Sequence, residues 1–133
     1  MPIVFPLRSV RTTLGWVVKP LIPVDILTSA GYRPYEVLLD TGADCTMLPK
    51  FMARLIGVDL AACRHLPSYG IEGAGVMTYA SRITARIGRT VLTLPCLFSE
   101  NERSPFILGR MGLFDRFSIT FDNRRKKIAL TRL

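Results

Sequence analysis

The chain has 133 residues, with 18 Lys or Arg against 10 Asp or Glu, a formal net charge of +8 and 49% hydrophobic residues. This length fits one domain with a modest core, and the apolar content excludes a disordered chain. No apolar run approaches the roughly 18–20 residues of a membrane-spanning helix, and three cysteines without CxxC spacing (Cys45, Cys63, Cys96) argue against a disulfide framework and a zinc site.

The first segment, "MPIVFPLRSVRTTLGWVVKPLIPV", is apolar but interrupted by Arg8, Arg11, Lys19 and prolines. Its longest clean stretch, "TLGWVV", is shorter than the roughly 7–15-residue core of a secretory signal. It is therefore expected to be part of the fold, with a cytoplasmic location. "KPLIPVDIL" (19–27) and "YEVLLD" (35–40) flank the turn-rich "TSAGYRP" and predict a hairpin. After "TMLP", Pro49 suits the first turn of a short helix, with Phe51, Met52, Leu55 and Ile56 as its apolar face and Gly57 as its C-cap.

Further strands are expected in "SYGIEGAGVMTYASRITARIG" (68–88), "TVLTLPCLF" (90–98) and "PFILG" (105–109). "RMGLFDRF" (110–117) suggests a second short helix, ahead of strands "SITFD" and "KKIAL". Short strands punctuated by Gly and Pro, with one or two short helices, describe a small all-β domain spanning 1–133. The basic charge is scattered except for "RRKK" at 124–127, which lies between two strand-like runs. A solvated hairpin turn explains it better than a nucleic-acid surface, since no RNP-like strand or zinc finger accompanies it.

Chemistry concentrates at "EVLLDTGADCTMLP" (36–49), where Asp40 directly follows Val37, Leu38 and Leu39. Asp-Thr-Gly is ordinary turn chemistry. A carboxylate at the end of an apolar strand is equally the place for a tuned acid, with Gly42 permitting a sharp turn and the Thr41 hydroxyl fixing it. A second apolar run, "FILGR" (106–110), also ends in glycine and could cross beside the first. His65 is the only histidine, which leaves little for a Ser/His/Asp triad, and Cys45 lacks an obvious base partner.

"LLDTGADCTMLP", followed some 65 residues later by "ILGRMGL", resembles the two signature segments of retropepsin-like aspartic proteases. Between them "YGIEGAGVMTY" lies where that family carries its flap, a glycine-tipped hairpin over the cleft. The resemblance implies a single-lobe acid-protease β-barrel with a flap hairpin, acting without cofactor or metal on protein or peptide substrates. Such proteolysis needs two facing carboxylates that share a proton. No second Asp-Thr/Ser-Gly exists in this chain, because Asp25, Asp59, Asp115 and Asp122 all lack it. The expectation is therefore a homodimer with Asp40 from each chain.

By the same resemblance, Thr41 would interlock the two active-site loops and the Gly42 carbonyl would accept a hydrogen bond from the peptide. Ala43 would stay small beside the substrate, while Asp44 would bind substrate backbone and pair with Arg110. Gly70, Gly73, Ala74 and Gly75 fall at the tip of the flap. Leu38, Met47, Ile71, Pro105 and Ile107 are candidates for apolar subsite walls, with core packing as their alternative role. Retropepsins end soon after the second motif and use short terminal strands as their dimer interface. Here "FSITFDNRRKKIAL" looks more like the closing hairpin of a pepsin lobe, so a differently organised interface is expected. Two other functions compete with proteolysis: a catalytically silent dimerisation or peptide-binding module, and a basic nucleic-acid-binding β-domain.

Overall fold

The computed structural model describes residues 1–69 and 75–133. Gly70, Ile71, Gly73 and Ala74, expected at the flap tip, lie outside the described residues. The chain is built almost wholly of strands, in agreement with the all-β expectation. In chain order the first five are β1 (Ile3–Pro6), β2 (Arg8–Thr12), β3 (Gly15–Lys19), β4 (Leu21–Thr28) and β5 (Gly31–Leu39). Then come β6 (Thr46–Pro49), the helix α1 (Phe51–Ile56), β7 (Arg64–Tyr69) and β8 (Gly75–Ile87). β9 (Thr90–Ser99), β10 (Ile107–Leu108), β11 (Phe117–Asp122) and β12 (Lys127–Arg132) complete the fold.

Seven strands form one sheet in the order β4-β5-β10-β6-β9-β8-β7. It curls until β4 also pairs with β8, through Asp25↔Arg86 and Ile26↔Ala85. This closure makes a barrel and covers part of the outer edge of β4, while β7 stays at the edge of the sheet. Arg86 Nη2 lies 3.1 Å from Asp25 Oδ2 at the seam, and its guanidinium sits 4.1 Å from the Tyr32 ring centre. Period-two alternation fills the interior: Ile83, Ala85 and Ile87 of β8 meet Leu92, Leu94, Cys96 and Phe98 of β9, all buried. Val24, Ile26, Val37, Leu39, Leu48 and Leu108 join them in the same core.

Several local expectations are corrected. The hairpin of β4 and β5 has a much shorter turn than "TSAGYRP", because Thr28 already pairs with Gly31. Gly31 adopts φ +94°, and the Thr28 hydroxyl bonds the Gly31 carbonyl at 2.7 Å, so a two-residue turn suffices. Pro49 is the buried end of β6 rather than a helical residue; Lys50 is the N-cap. Helix α1 buries Met52 and Ala53, whereas Phe51 and Leu55 face outward. A helix of one and a half turns can dock only a narrow stripe, and contact with β4 and β6 selects it. Gly57 does close the helix, at φ +91° with its N–H on the Ala53 carbonyl.

No helix forms over 110–117. Phe114 N bonds Arg110 O and Phe117 N bonds Leu113 O, but the two turns stay separate. Gly112 between them has φ +80°, and a Cβ there would lie 3.0 Å from Leu94. The N-terminal segment supplies more structure than the bare expectation that it belongs to the fold. β1 pairs with β12, which pairs with β11, in a three-stranded sheet, and β2 and β3 form a separate two-stranded hairpin. The first three residues of "RRKK", Arg124 to Lys126, occupy the exposed turn between β11 and β12, with Lys126 at φ +55°, and Lys127 opens β12. Among the described residues no helix is long and apolar enough to cross a membrane.

Candidate active site

Asp40 stands one residue beyond β5, where three chain segments converge. β10 runs parallel to β5 (Leu108↔Leu39) and antiparallel to β6 (Ile107↔Met47), so it is inserted between them. Leu38 N donates to Phe106 O at 2.8 Å and Asp40 N to Leu108 O at 3.0 Å, extending this pairing to the acidic residue itself. Beyond the crossing, Arg110 N and Met111 N donate to the Ala43 and Asp44 carbonyls at 3.0 and 2.8 Å. The 40–45 loop is therefore clamped along its length by residues 108–111.

Two glycines make the crossing possible. A Cβ on Gly109 would fall 2.4–2.7 Å from the Cys45 backbone, a distance no side chain tolerates. Gly109 N instead reaches the buried Thr46 hydroxyl at 3.2 Å. Gly42 lies so close to the acid that a Cβ would meet Asp40 Oδ1 at 3.3 Å. The Gly42 N–H donates to that same oxygen at 2.9 Å, orienting the carboxylate within an Asx turn. The energetic conflict of an acid on an apolar strand is thereby resolved: the strand is buried through Leu39, while Asp40 is half-exposed and hydrogen-bonded.

Arg110 bonds two groups of this loop. One guanidinium nitrogen donates to the exposed Asp44 carboxylate and another to the Thr41 carbonyl, at 3.3 Å for the latter. An exposed ion pair alone contributes less than about 1 kcal/mol; the added carbonyl contact makes it a clasp across the loop. Thr41 and Gly42 are exposed and Ala43 is half-buried.

The apolar candidates fall into distinct places. Leu38, Ile107 and Met47 are register partners across β5, β10 and β6, all half-buried, so they share one row. Leu38 and Asp40 also line an open cavity of ≈ 460 Å³ with Pro20, Leu39, Thr41 and Phe121. Pro105 is exposed and stands outside this cavity. Gly75 opens β8 opposite Tyr69, so β7 and β8 stay paired up to the residues that flank 70–74. At its base Glu100 accepts bonds from Lys50 Nζ and the Tyr79 hydroxyl, both at 2.7 Å. These two donors hold the Glu100 carboxyl below its ordinary range.

Sequence reasoning passed over Pro20, Thr46 and Phe121. Phe121 carried a signal, because Phe117, Ile119 and Phe121 alternate on one face of β11. The Cys45 thiol, in contrast, donates to the Pro95 carbonyl at 3.2 Å, and burial pushes it above its ordinary range. That suits packing and not nucleophilic attack. His65 packs edge-on against Tyr79, with ring centres 4.7 Å apart.

Comparison with known proteins agrees with this geometry. Residues 22–111 match the profile of a family described as aspartyl protease. Among solved structures, a retropepsin-like aspartic protease from Rickettsia conorii superimposes with a TM-score of 0.66 at 18% identity, over 98% of each chain. EIAV protease, solved in complex with the inhibitor HBY-793, gives a TM-score of 0.53 at 25% identity, over 69% of this chain and 82% of the viral one. A search of curated proteins finds no match.

Proposed function

The chain belongs to the aspartyl protease family, with a retropepsin-like fold, and we propose that it is a homodimeric endopeptidase in which Asp40 of each subunit forms the catalytic pair. The observation that carries this reading is the clamped Asp-Thr-Gly loop. It presents one oriented, half-exposed carboxylate beside an apolar cavity, in a chain that encodes only one such motif.

Two carboxylates brought face to face cannot both ionise, so they hold one proton between them. The ionised partner takes a proton from water as that water attacks the scissile carbonyl; the protonated partner donates to the carbonyl oxygen. Thr41 would brace the two loops against each other, and the Gly42 carbonyl would receive a backbone N–H of the bound peptide. The row of Leu38, Met47 and Ile107 favours extended substrates with apolar residues beside the scissile bond. The β7–β8 hairpin would close over that peptide, with Ile71, Gly73, Ala74 and Gly75 at its tip.

The replacement Asp40→Asn removes the charge at constant shape. Turnover of a denatured protein substrate is expected to fall by roughly 10³-fold or more, with the dimer retained. Full activity in the purified variant would exclude the pair. Activity should be greatest at acidic to mildly acidic pH and decline as alkali removes the shared proton.

A further inference from the structure

We propose that the second copy docks on an aromatic surface formed by the β2–β3 hairpin and the C-terminal end of β11, with Trp16, Val17 and Phe121 at its centre. This rests on the reading that two Asp40 residues meet at a symmetry axis. If they do, whatever adjoins the Asp40 cavity is drawn into the same interface. Phe121 and Pro20 line that cavity. The same two residues also line a neighbouring cavity of ≈ 530 Å³ with Leu7, Trp16, Val17 and Val18, beside Asn123 and Lys126. A mainly apolar band thus links the Asp40 cavity to the hairpin.

Its exposure calls for a cover. Trp16 is 69% exposed, Phe121 42% and Val17 37%, while Leu14 at the hairpin turn is almost fully exposed. A lone two-stranded hairpin is marginally stable in water, and here β2 and β3 pair only with each other. Contiguous apolar exposure rich in aromatic residues marks an association surface, with Trp a preferred anchor. β12 lies between β1 and β11 with both of its edges hydrogen-bonded within the chain, so the C-terminal strand offers no open edge to a partner. On this surface the contact is made by side chains of the hairpin and of β11.

Trp16 is the only tryptophan, so the intact protein reports on its own interface. In the Asp40→Asn variant, which cannot digest itself, sedimentation and tryptophan emission are followed over one concentration series. The emission maximum is expected to move to shorter wavelength in step with dimer formation. Trp16→Asp and Phe121→Asp, scored by sedimentation, should each raise the dimer dissociation constant roughly 30-fold or more. Val91→Asp, an equally exposed apolar site on β9, should leave it unchanged. Far-ultraviolet dichroism and thermal melting verify that each variant is folded. Dimers that form with unchanged emission, and that survive both substitutions, overturn this interface and leave the role of Asp40 standing. Dimers that obey the prediction yet show no Asp40-dependent cleavage in the parent protein remove the proteolytic reading and leave the interface standing.

Discussion

Gly109 shows how one residue governs the candidate site. The chain crosses itself here closely enough that the missing side chain is what permits contact, and the Gly109 N–H then satisfies Thr46. Gly109→Ala is expected to destabilise the fold by about 3 kcal/mol, because backbone and not a flexible side chain must move. Chemical denaturation measures this directly, and an unchanged midpoint would show that the crossing has slack. Activity should fall further than stability, since the displaced Cys45 backbone is continuous with Asp44 and the clamp on the Asp40 loop. Arg110→Lys should have a milder effect. A lysine ammonium cannot bond the Thr41 carbonyl and the Asp44 carboxylate with a planar fork, so KM is expected to rise several-fold with little change in melting temperature.

Glu100, with Lys50 and Tyr79, ties the stem of the β7–β8 hairpin to the start of α1. Because the folded state lowers the Glu100 pKa, its contribution is present above the ordinary glutamate range. It is lost as pH falls through the lowered folded value. The melting temperature of wild type should therefore exceed that of Glu100→Gln at neutral pH, and the two should converge in strong acid. A gap that widened on acidification would reverse the sign and refute the coupling. The strands are readable from alternation and from Gly and Pro punctuation, since β4, β9 and β12 bury alternate residues over most of their length. The helix expected at 110–117 was not legible as turns, because Gly112 packs on Leu94, a contact distant in sequence. The insertion of β10 between β5 and β6 is a tertiary fact, although "ILG" hinted at it. The exposure of Trp16 and Phe121 is likewise a tertiary fact, with no counterpart in the sequence pattern.

Across the whole molecule, a barrel closed by β4 and β8 carries the Asp40 loop, while the hairpin of β2 and β3 is a separate two-stranded sheet with apolar side chains exposed. The net charge of +8 is spread along the chain, with one cluster at the β11–β12 turn. In the proposed mechanism the functional unit is two chains, each contributing one Asp40 carboxylate to the proton-sharing pair. The most direct measurement is peptide hydrolysis over a dilution series, with the dimer fraction measured by sedimentation at the same concentrations. The rate per chain is predicted to track the dimer fraction and to vanish with it on dilution. A constant rate per chain in a fully monomeric solution would contradict the account.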